Sequence, residues 1–466
     1  MTFNGVLAEA FARHATAQAL LTQDGQILTF ERLERTVAVF ATRLRDEGVG
    51  PGQCIAILTD NNAVRIALFL ALARLGPDIA LIQAPAPLAA CGQKIDAVIR
   101  FPDQGSGGVD RSILFGQDWL SGSADPALRH REPGRMILST SGSTGAPRYI
   151  KLRPQVYVDI EPSLADGSGA SLGPVMSSIP VTAPFSIYLM VRAFRNGHGF
   201  SGMKPTGAET LKEAARFGVR EMMLTPLALA ELVAAAEAGA PKGEVVRVAV
   251  FGAVAEGALL ARAEKAFACD VYICNGASEI GQTSFGRFDG ATYVTGWCGR
   301  PLKKLGIRIG DGSASGESGR LYVRPPVEDR CEGYIGGPPA YDADGWFDTG
   351  DIARLLPDGA LLIEGRADNL INLGGSKYAA ERIEALVAQM PGVDICAATR
   401  IDRPGALAPE LGIAVVAGSG FDLERTLAHM ASKIRTTAKT RIVVCPKLPM
   451  LPTGKVDRSA LAALFG

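Results

Sequence analysis

The sequence predicts an α/β fold, with a large parallel-rich N-terminal domain followed by a small α+β C-terminal domain. Three observations lead to this prediction. Apolar strand-like runs alternate with helical patterns up to about residue 290, which favours parallel sheets. The texture then changes to short strands and turns. From about residue 368 the chain has the pattern of a separate compact unit.

The strand–helix alternation begins near the N-terminus. Thr29 can cap a helix in which Leu33, Val37, Phe40 and Leu44 recur at helical spacing. Further strands are predicted at QCIAILTD, DIALIQA, RMILST, EMMLT, VVRVAVFGA and DVYICNG, and further helices at 63–75, 211–217, 227–238 and 257–267. Such an order is typical of α/β architecture with a largely parallel sheet.

The second half of the chain departs from this alternation. KLGIRIGDGSASGESGRLYVRP predicts a small β-barrel-like subdomain of short strands. After it we expect a hairpin formed by GALLIEGR and LINLGG, a helix at AAERIEALVAQM, strands near 393–400 and 411–417, a helix at 422–435 and a strand at RIVVCP. The turn-rich stretch from Arg366 to Asn369 is the expected boundary, so the predicted domains are 1–367 and 368–466.

Composition excludes several classes of protein. The 48 basic and 48 acidic residues cancel, which argues against a nucleic-acid partner or a polybasic membrane surface. The longest apolar run, about Ile66 to Leu75, is too short for an integral membrane segment, and the N-terminus lacks a secretory signal. The eight scattered cysteines form no CxxC pair and are expected to be free thiols. We therefore expect a cytoplasmic protein.

The strongest local motif is LSTSGSTGAPR, from Leu138 to Arg148. An apolar strand runs into a loop of small and hydroxylated residues that ends in a cation, and such a loop can cradle a phosphate. The expected phosphate-binding residues are Thr140, Ser141, Gly142, Ser143, Thr144, Gly145 and Arg148. Neither GxxxxGK[ST] nor GxGxxG accounts for the motif. A plain surface linker is the alternative, but linkers rarely follow an apolar strand directly in this order.

This loop closely resembles the phosphate loop of the ANL adenylate-forming enzymes, which include acyl-CoA synthetases, adenylation domains and luciferases. Further segments are similar to family motifs in the same order: NGASE (275–279), GWCGRPLKKLGIRI (296–309) with GESGRLYVR, GWFDTGD (345–351), GRADNLINLGGSKYAAERIE (365–384) and LPTGKVDR (451–458). With TFERLERTV near the start, the resemblance covers the chain from about residue 29. It implies a C-terminal domain that swivels against the N-terminal one.

The resemblance also implies roles for single residues. Lys455 and Glu279 match the catalytic positions, and Glu279 is also the expected ligand of Mg²⁺. Asp351 and Arg366 are expected to bind the nucleotide, and Asp368 to be the hinge. The other matched positions are expected to bind ATP or AMP (Gly252, Asn275, Gly276, Ser278), to line the coenzyme A channel (Gly374, Gly375, Lys377) and to line the acyl pocket (Phe185, Ser186, Ala253, Gly281). Each has a plainer reading as an ordinary turn or surface residue.

Three positions depart from the family pattern. Arg148 stands where the loop usually ends in Lys, and Asn275 replaces the aromatic residue of YGxTE. TAPFSIY replaces the histidine-containing PLFH pattern that is common in acyl-CoA synthetases. The same stretch lacks the Asp with which amino-acid adenylation domains hold the α-amino group, so that activity is disfavoured.

The resemblance therefore implies an AMP-forming carboxylate ligase. ATP, Mg²⁺ and a small-molecule carboxylate would give an acyl-adenylate and pyrophosphate, and coenzyme A would then accept the acyl group. Two alternatives stay open: an acyl carrier protein as the acceptor, and a degenerate, non-catalytic nucleotide-binding relative. The presence of Glu279, Asp351, Arg366 and Lys455 together argues against the second alternative.

Overall fold

The computed structural model describes residues 2–82, 85–140, 148–159, 171–310, 316–373, 376–402, 409–434, 438–450 and 456–465. Its helices are α1 (Phe3–Arg13), α2 (Phe30–Asp46), α3 (Asn62–Leu75), α4 (Pro85–Ala90), α5 (Val156–Asp159), α6 (Pro184–Arg195), α7 (Gly207–Phe217), α8 (Pro226–Glu237), α9 (Gly257–Phe267), α10 (Ala380–Ala388), α11 (Leu423–Lys433) and α12 (Arg458–Ala462).

Twenty-five strands are described. They are β1 (Gln18–Leu21), β2 (Ile27–Thr29), β3 (Cys54–Leu58), β4 (Asp78–Leu81), β5 (Ala97–Arg100), β6 (Ser112–Leu114), β7 (Met136–Thr140), β8 (Arg148–Leu152), β9 (Val175–Ser177), β10 (Phe200–Gly202), β11 (Glu221–Leu224), β12 (Arg247–Val250), β13 (Asp270–Ala277), β14 (Gly281–Arg287), β15 (Arg300–Pro301), β16 (Gly306–Ile309), β17 (Gly319–Arg324), β18 (Gly333–Tyr334), β19 (Phe347–Leu355), β20 (Leu361–Arg366), β21 (Leu370–Leu373), β22 (Ser376–Ala379), β23 (Val393–Ile401), β24 (Glu410–Ala417) and β25 (Thr440–Val444).

Two large sheets form the first two thirds of the molecule. One has the order β15-β14-β13-β12-β11-β9-β10-β1-β2, and the other β18-β8-β7-β4-β3-β5-β6. Their central strands pair in parallel, while antiparallel pairs occur only toward the edges. The predicted α/β class with parallel-rich sheets is confirmed.

Local sequence signals explain where the first helices begin and end. The Thr29 hydroxyl accepts a hydrogen bond from the Arg32 N–H, and α2 buries its apolar stripe as predicted. Asn61 caps α3 in the same way, and Gly76 ends that helix in the left-handed region at φ 87°. Every residue of α3 from Arg65 to Leu75 is buried, because the helix packs between other elements.

A four-stranded antiparallel sheet, β16-β17-β19-β20, follows the two large sheets. It confirms the β-rich subdomain that the sequence predicts after residue 290. Its apolar residues belong to the same core as α8, β11 and β12; they include Leu321, Val323, Phe347 and Leu361. A bridge between Trp297 and Leu362 connects this sheet to the preceding loop.

The C-terminal elements form two apolar clusters of their own. Helices α10 and α11 pack against the β23-β24-β25 sheet, and all members of both clusters lie between Ile371 and Phe465. The predicted hairpin of GALLIEGR with LINLGG is wrong. GALLIEGR supplies β20, which pairs with β19, whereas LINL forms β21 and pairs with β22. The turn Ala367–Asn369 redirects the chain between the two.

Two sequence predictions concern the whole chain. Across the described ranges, no helix is long and apolar enough to cross a membrane. All eight cysteines are free thiols, five of them buried, as their scattered spacing predicted.

Candidate active site

Several of the predicted site residues lie where parallel strands end. Thr140 is the last residue of β7, Gly252 follows β12 by two residues, and Asn275 and Gly276 lie near the end of β13. In open α/β sheets, ligands bind outside the carboxyl ends of the strands, where the connecting loops converge. The sequence thus places these residues at the edge that this architecture uses for binding.

Glu279 lies in the tight turn between β13 and β14. Its side chain is buried, and its carboxylate Oε1 accepts a hydrogen bond of 2.7 Å from the Tyr334 hydroxyl. The Tyr341 hydroxyl donates to the backbone carbonyl of Glu279 at 2.6 Å. Two tyrosines therefore hold this residue, one through its side chain and one through its backbone.

Arg148 stands over the ring of the same tyrosine. Its guanidinium carbon is 4.7 Å from the centroid of Tyr334, within the range of a cation–π contact. Burial and then the nearby Glu279 carboxylate raise the pKa of the Tyr334 phenol above its usual value. Glu279, Tyr334 and Arg148 thus form one continuous cluster, in which the phenol is neutral at physiological pH.

Thr140 is the register partner of Arg148 across β7 and β8, so the two side chains lie on the same face. The Thr140 hydroxyl is buried and has no hydrogen-bond partner among the described residues. A buried hydroxyl without a partner costs free energy unless a ligand or water satisfies it. Its position directly before 141–147, outside the described residues, is consistent with a donor to a bound phosphate.

Asp351 and Arg366 form a second cluster. They are register partners on β19 and β20, and the Arg366 Nη1 lies 3.1 Å from the Asp351 Oδ1. Arg366 also donates to the Thr349 carbonyl at 2.6 Å and pairs with Asp368 at 3.2 Å. Burial alone would lower the pKa of Arg366, but Asp351 and Asp368 outweigh it and hold that pKa above its usual value. The guanidinium stays charged.

At two glycines near this arginine, a side chain would collide with neighbouring residues. A Cβ on Gly350, whose φ is 73°, would lie 2.6 Å from the Arg366 Nη2. A Cβ on Gly365 would meet Ala379 at 2.5 Å and the Glu381 carboxylate at 2.6 Å. Side chains at these positions would displace the residues around the predicted nucleotide arginine.

Strand pairing and one buried hydrogen bond connect β13, through β14, to Cys298. Asn275 is opposite Ser284 in the β13–β14 ladder, and the Ser284 hydroxyl donates to the Cys298 carbonyl at 2.8 Å. Burial raises the pKa of the Cys298 thiol to about 12, and the Asp351 carboxylate contributes to that rise. Asp351 therefore lies within electrostatic range of Cys298, to whose carbonyl Ser284 of β14 donates.

The predicted acyl-pocket residues do not all present free surface. Phe185 packs edge-on against Phe251 at 4.9 Å, next to exposed Gly252 and Ala253. Ser186 is fully buried, and its hydroxyl donates to the Ile179 carbonyl at 2.9 Å, so it contributes no exposed surface. Ser278 is partly buried in the Glu279 turn, and Gly281 is exposed just after it with φ 70°.

Some predicted residues lie outside the described part of the chain. They are Ser141, Gly142, Ser143, Thr144, Gly145, Gly374, Gly375 and Lys455. Lys377 lies in β22, where it pairs with Asn372, but its side chain is outside the described part. Arg458 is the residue nearest to Lys455 in sequence for which the structure describes an ion pair. It contacts Glu384 at 2.8 Å and Glu381 at 3.3 Å.

Sequence reasoning missed Tyr334 and Tyr341. Both belong to CEGYIGGPPAY, a segment rich in glycine and proline that carries no charge pattern. The two tyrosines bracketing IGGPPA were the available signal, because a phenol that packs in a loop usually finds a hydrogen-bond partner.

The arrangement has the chemistry that a magnesium nucleotide requires. Mg²⁺ is usually held by one or two carboxylates, with phosphate and water supplying the remaining oxygens. The buried carboxylate of Glu279 fits the first requirement. The Thr140 hydroxyl, which has no partner among the described residues, and the guanidinium of Arg148 fit the phosphates. Over the described ranges, no group of three or more His, Cys, Asp or Glu residues could hold a metal by itself.

Comparison with known proteins agrees with this geometry. The family of AMP-binding enzymes matches residues 7–92 and 110–334. A fatty acid–[acyl-carrier-protein] ligase, MmaC of Mycobacterium marinum, is 25% identical over 527 aligned positions that cover 98% of this chain and 96% of the relative. A 4-chlorobenzoate–CoA ligase of an Arthrobacter species is 26% identical over 418 positions, covering 82% of this chain and 79% of the relative.

The fold has close structural counterparts. The amide bond synthetase McbA from Marinactinospora thermotolerans superimposes with a TM-score of 0.83 over 99% of both chains, at 20% sequence identity. At that identity the likeness concerns the fold. Since the family match covers more than half of the chain and includes the phosphate-loop segment, the chain belongs to the AMP-binding enzyme family of adenylate-forming ligases.

Proposed function

We propose that this protein is an AMP-forming carboxylate–CoA ligase. It joins ATP and a carboxylic acid into an acyl-adenylate with release of pyrophosphate, and coenzyme A then takes the acyl group. The observation that carries the proposal is the cluster of Glu279, Tyr334 and Arg148. It combines a buried carboxylate for Mg²⁺ with a cation at the end of the phosphate loop.

The nucleotide's sugar would bind at the second cluster. Asp351 offers two carboxylate oxygens, which suit the two ribose hydroxyls, and Arg366 fixes that carboxylate from the neighbouring strand. Arg366 is restrained in turn by Thr349 and Asp368. The pair is therefore preorganised, which reduces the entropy lost on binding.

We further propose that the chain divides into domains 1–367 and 368–466, with Asp368 as the hinge. The apolar clusters support this boundary, because none of them combines residues from before Ile363 with residues after Ile371. Lys455 would then lie on the smaller domain. Its positive charge would stabilise the negative charge that collects when a carboxylate attacks the α-phosphate.

Coenzyme A is the proposed acceptor, as the name of the 4-chlorobenzoate–CoA ligase states for that relative. A carrier-protein phosphopantetheine is the second candidate, and the end-to-end match to MmaC favours it. The two acceptors present the same thiol arm and differ in what carries it. A direct competition between them therefore decides the question.

The test is pyrophosphate release with ATP, Mg²⁺ and a panel of aliphatic and aromatic carboxylates, with and without coenzyme A or a phosphopantetheinylated carrier protein. Release with at least one acid, followed by CoA thioester formation, is expected. Silence across chemically diverse acids would refute the ligase activity. Thioester formation only with the carrier protein would refute coenzyme A as the acceptor.

Lys455→Ala separates the two half-reactions. It should abolish adenylate formation and leave thioester formation from supplied acyl-adenylate largely intact, because the lysine stabilises charge only in the first step. Lys447→Ala, at an exposed lysine of the same domain, is the matched control and should retain both steps. Equal loss of both half-reactions in Lys455→Ala would contradict the role proposed for this residue.

A further inference from the structure

Tyr334 contacts both charged residues of the proposed phosphate site. Its hydroxyl donates to the Glu279 carboxylate at 2.7 Å, and its ring lies 4.7 Å below the Arg148 guanidinium carbon. The side chain is about half-buried, so it is held between the two rather than free in solvent. One residue outside the predicted site thus touches the carboxylate proposed for Mg²⁺ and the cation proposed for phosphate.

The strand register fixes this arrangement. Tyr334 pairs with Ile150 across β18 and β8, and Arg148 is two residues from Ile150 on the same strand. Diagonal neighbours in an antiparallel ladder share a face and lie within reach of long side chains. The stacking of Arg148 on the tyrosine ring therefore follows from the backbone pairing, and the hydroxyl of the same ring reaches the Glu279 carboxylate.

The backbone of Glu279 is held independently. The Tyr341 hydroxyl donates to the Glu279 carbonyl at 2.6 Å and accepts from the Cys331 N–H at 3.1 Å. Because the turn keeps this anchor, removing the Tyr334 hydroxyl leaves the backbone of Glu279 in place. What it removes is the restraint on the carboxylate's orientation.

We propose that Tyr334 is a positioning residue for the adenylation half-reaction, with its hydroxyl orienting the Glu279 carboxylate toward Mg²⁺ and its ring fixing Arg148 at the phosphates. The inference rests on the proposed function. Mg²⁺ demands near-ideal octahedral geometry, so a carboxylate free to rotate binds it less well. Groups that hydrogen-bond metal ligands typically change metal affinity or activity by about 10- to 100-fold when they are removed.

The two halves of the side chain can be tested separately. Tyr334→Phe removes the hydroxyl and keeps the ring under Arg148, whereas Tyr334→Leu removes both contacts. Tyr322→Phe is the matched control, since it also removes one phenol hydroxyl and its ring likewise stacks on an arginine, Arg308, at 4.5 Å. The probe is α,β-methylene ATP, whose dissociation constant is measured by calorimetry with MgCl₂ and with EDTA.

Tyr334→Phe should weaken binding of the magnesium complex about tenfold and leave the constant in EDTA unchanged. Tyr334→Leu should weaken binding under both conditions, because Arg148 loses its support. Tyr322→Phe should bind as the wild type does under both conditions. Equal affinities of wild type and Tyr334→Phe for the probe in MgCl₂ would overturn the role of the hydroxyl. A loss of affinity in Tyr334→Phe that is equally large with MgCl₂ and with EDTA would overturn it too.

The proposed role of the Tyr334 ring is tested by the Tyr334→Leu variant. A Tyr334→Leu protein whose constant in EDTA matches that of the wild type would overturn the role of the ring. These binding measurements need no turnover, so they are independent of the proposed activity. Wild-type protein that binds the probe with MgCl₂ but releases no pyrophosphate with any acid would refute the ligase function alone.

Discussion

A buried ion cluster at the opposite end of the sheet gives the sharpest stability prediction. Glu221 begins β11 and is fully buried, and its Oε2 lies 2.7 Å from Arg192 on α6 and 3.4 Å from Arg247 at the start of β12. Its Oε1 accepts hydrogen bonds from the Ser171 hydroxyl at 3.0 Å and the Leu172 N–H at 2.5 Å. One carboxylate therefore serves two buried guanidinium groups.

Glu221→Gln keeps the shape of the side chain and removes its charge. Arg192 and Arg247 would then be buried at 3% and 5% exposure without their shared counter-ion. Removing one partner of a buried ion pair costs roughly 3–5 kcal/mol, since the charge left behind stays desolvated. For the proposed domain 1–367, an unfolding entropy of about 2.1 cal/mol/K per residue means that each kcal/mol lowers Tm by roughly 1.3 °C, so a fall of roughly 4–7 °C is expected.

The matched control is Glu237→Gln. Glu237 pairs with Arg262 at 2.7 Å, but both side chains are about half exposed, and such pairs contribute only about 0–1 kcal/mol. Thermal unfolding of both variants is the assay, with pyrophosphate release at low temperature as a second readout. That release should persist in Glu221→Gln, because the proposed site lies at the other ends of β11 and β12. A fall in Tm no larger than that of the control would refute the reasoning.

Two further predictions concern the C-terminal elements and pH. Arg458→Gln should destabilise the C-terminal unit by roughly 1–3 kcal/mol in chemical denaturation, because the partly buried carboxylates of Glu381 and Glu384 lose the cation that they share. Arg400→Gln, at an exposed pair, should change little, and equal effects of the two variants would contradict this. Burial lowers the pKa of His198, so the unfolded chain binds a proton first and stability should fall as pH drops below about 6.5, by up to about 1.4 kcal/mol per pH unit. Melting curves between pH 7.5 and 5.5 should show the fall, and His198→Gln should reduce its slope; an unchanged slope would contradict the assignment.

Local patterns were sufficient for much of the fold. The apolar spacing after Thr29 predicted α2 together with its cap, and the span 257–267 predicted α9 residue for residue. These predictions hold because capping and periodicity depend on neighbours within a few residues. The hairpin predicted over 359–375 is wrong because strand pairing depends on packing between elements and not on neighbouring residues alone. In the structure β20 pairs with β19, which precedes it in the chain.

The same distinction applies to the candidate site. Glu279, Asp351 and Arg366 stand in motifs whose residues are adjacent in sequence, so the motifs alone indicated them. The pairing of Glu221 with Arg192 and Arg247 involves three elements, and no short pattern marks it. Such contacts become visible only when the sheet order is known.

Tyr334 also gives a physical reason for the departure at Arg148. A guanidinium is planar and stacks on an aromatic face, whereas an ammonium is a compact, strongly hydrated point charge. The register that places Tyr334 diagonally across from residue 148 therefore favours arginine over the lysine that is usual at this position. In this chain the cation at the end of the loop is positioned by stacking, and the hydroxyl of the same ring holds the carboxylate opposite. The effect of Arg148→Lys should accordingly come from the weaker contact with the Tyr334 ring, because arginine and lysine carry the same positive charge.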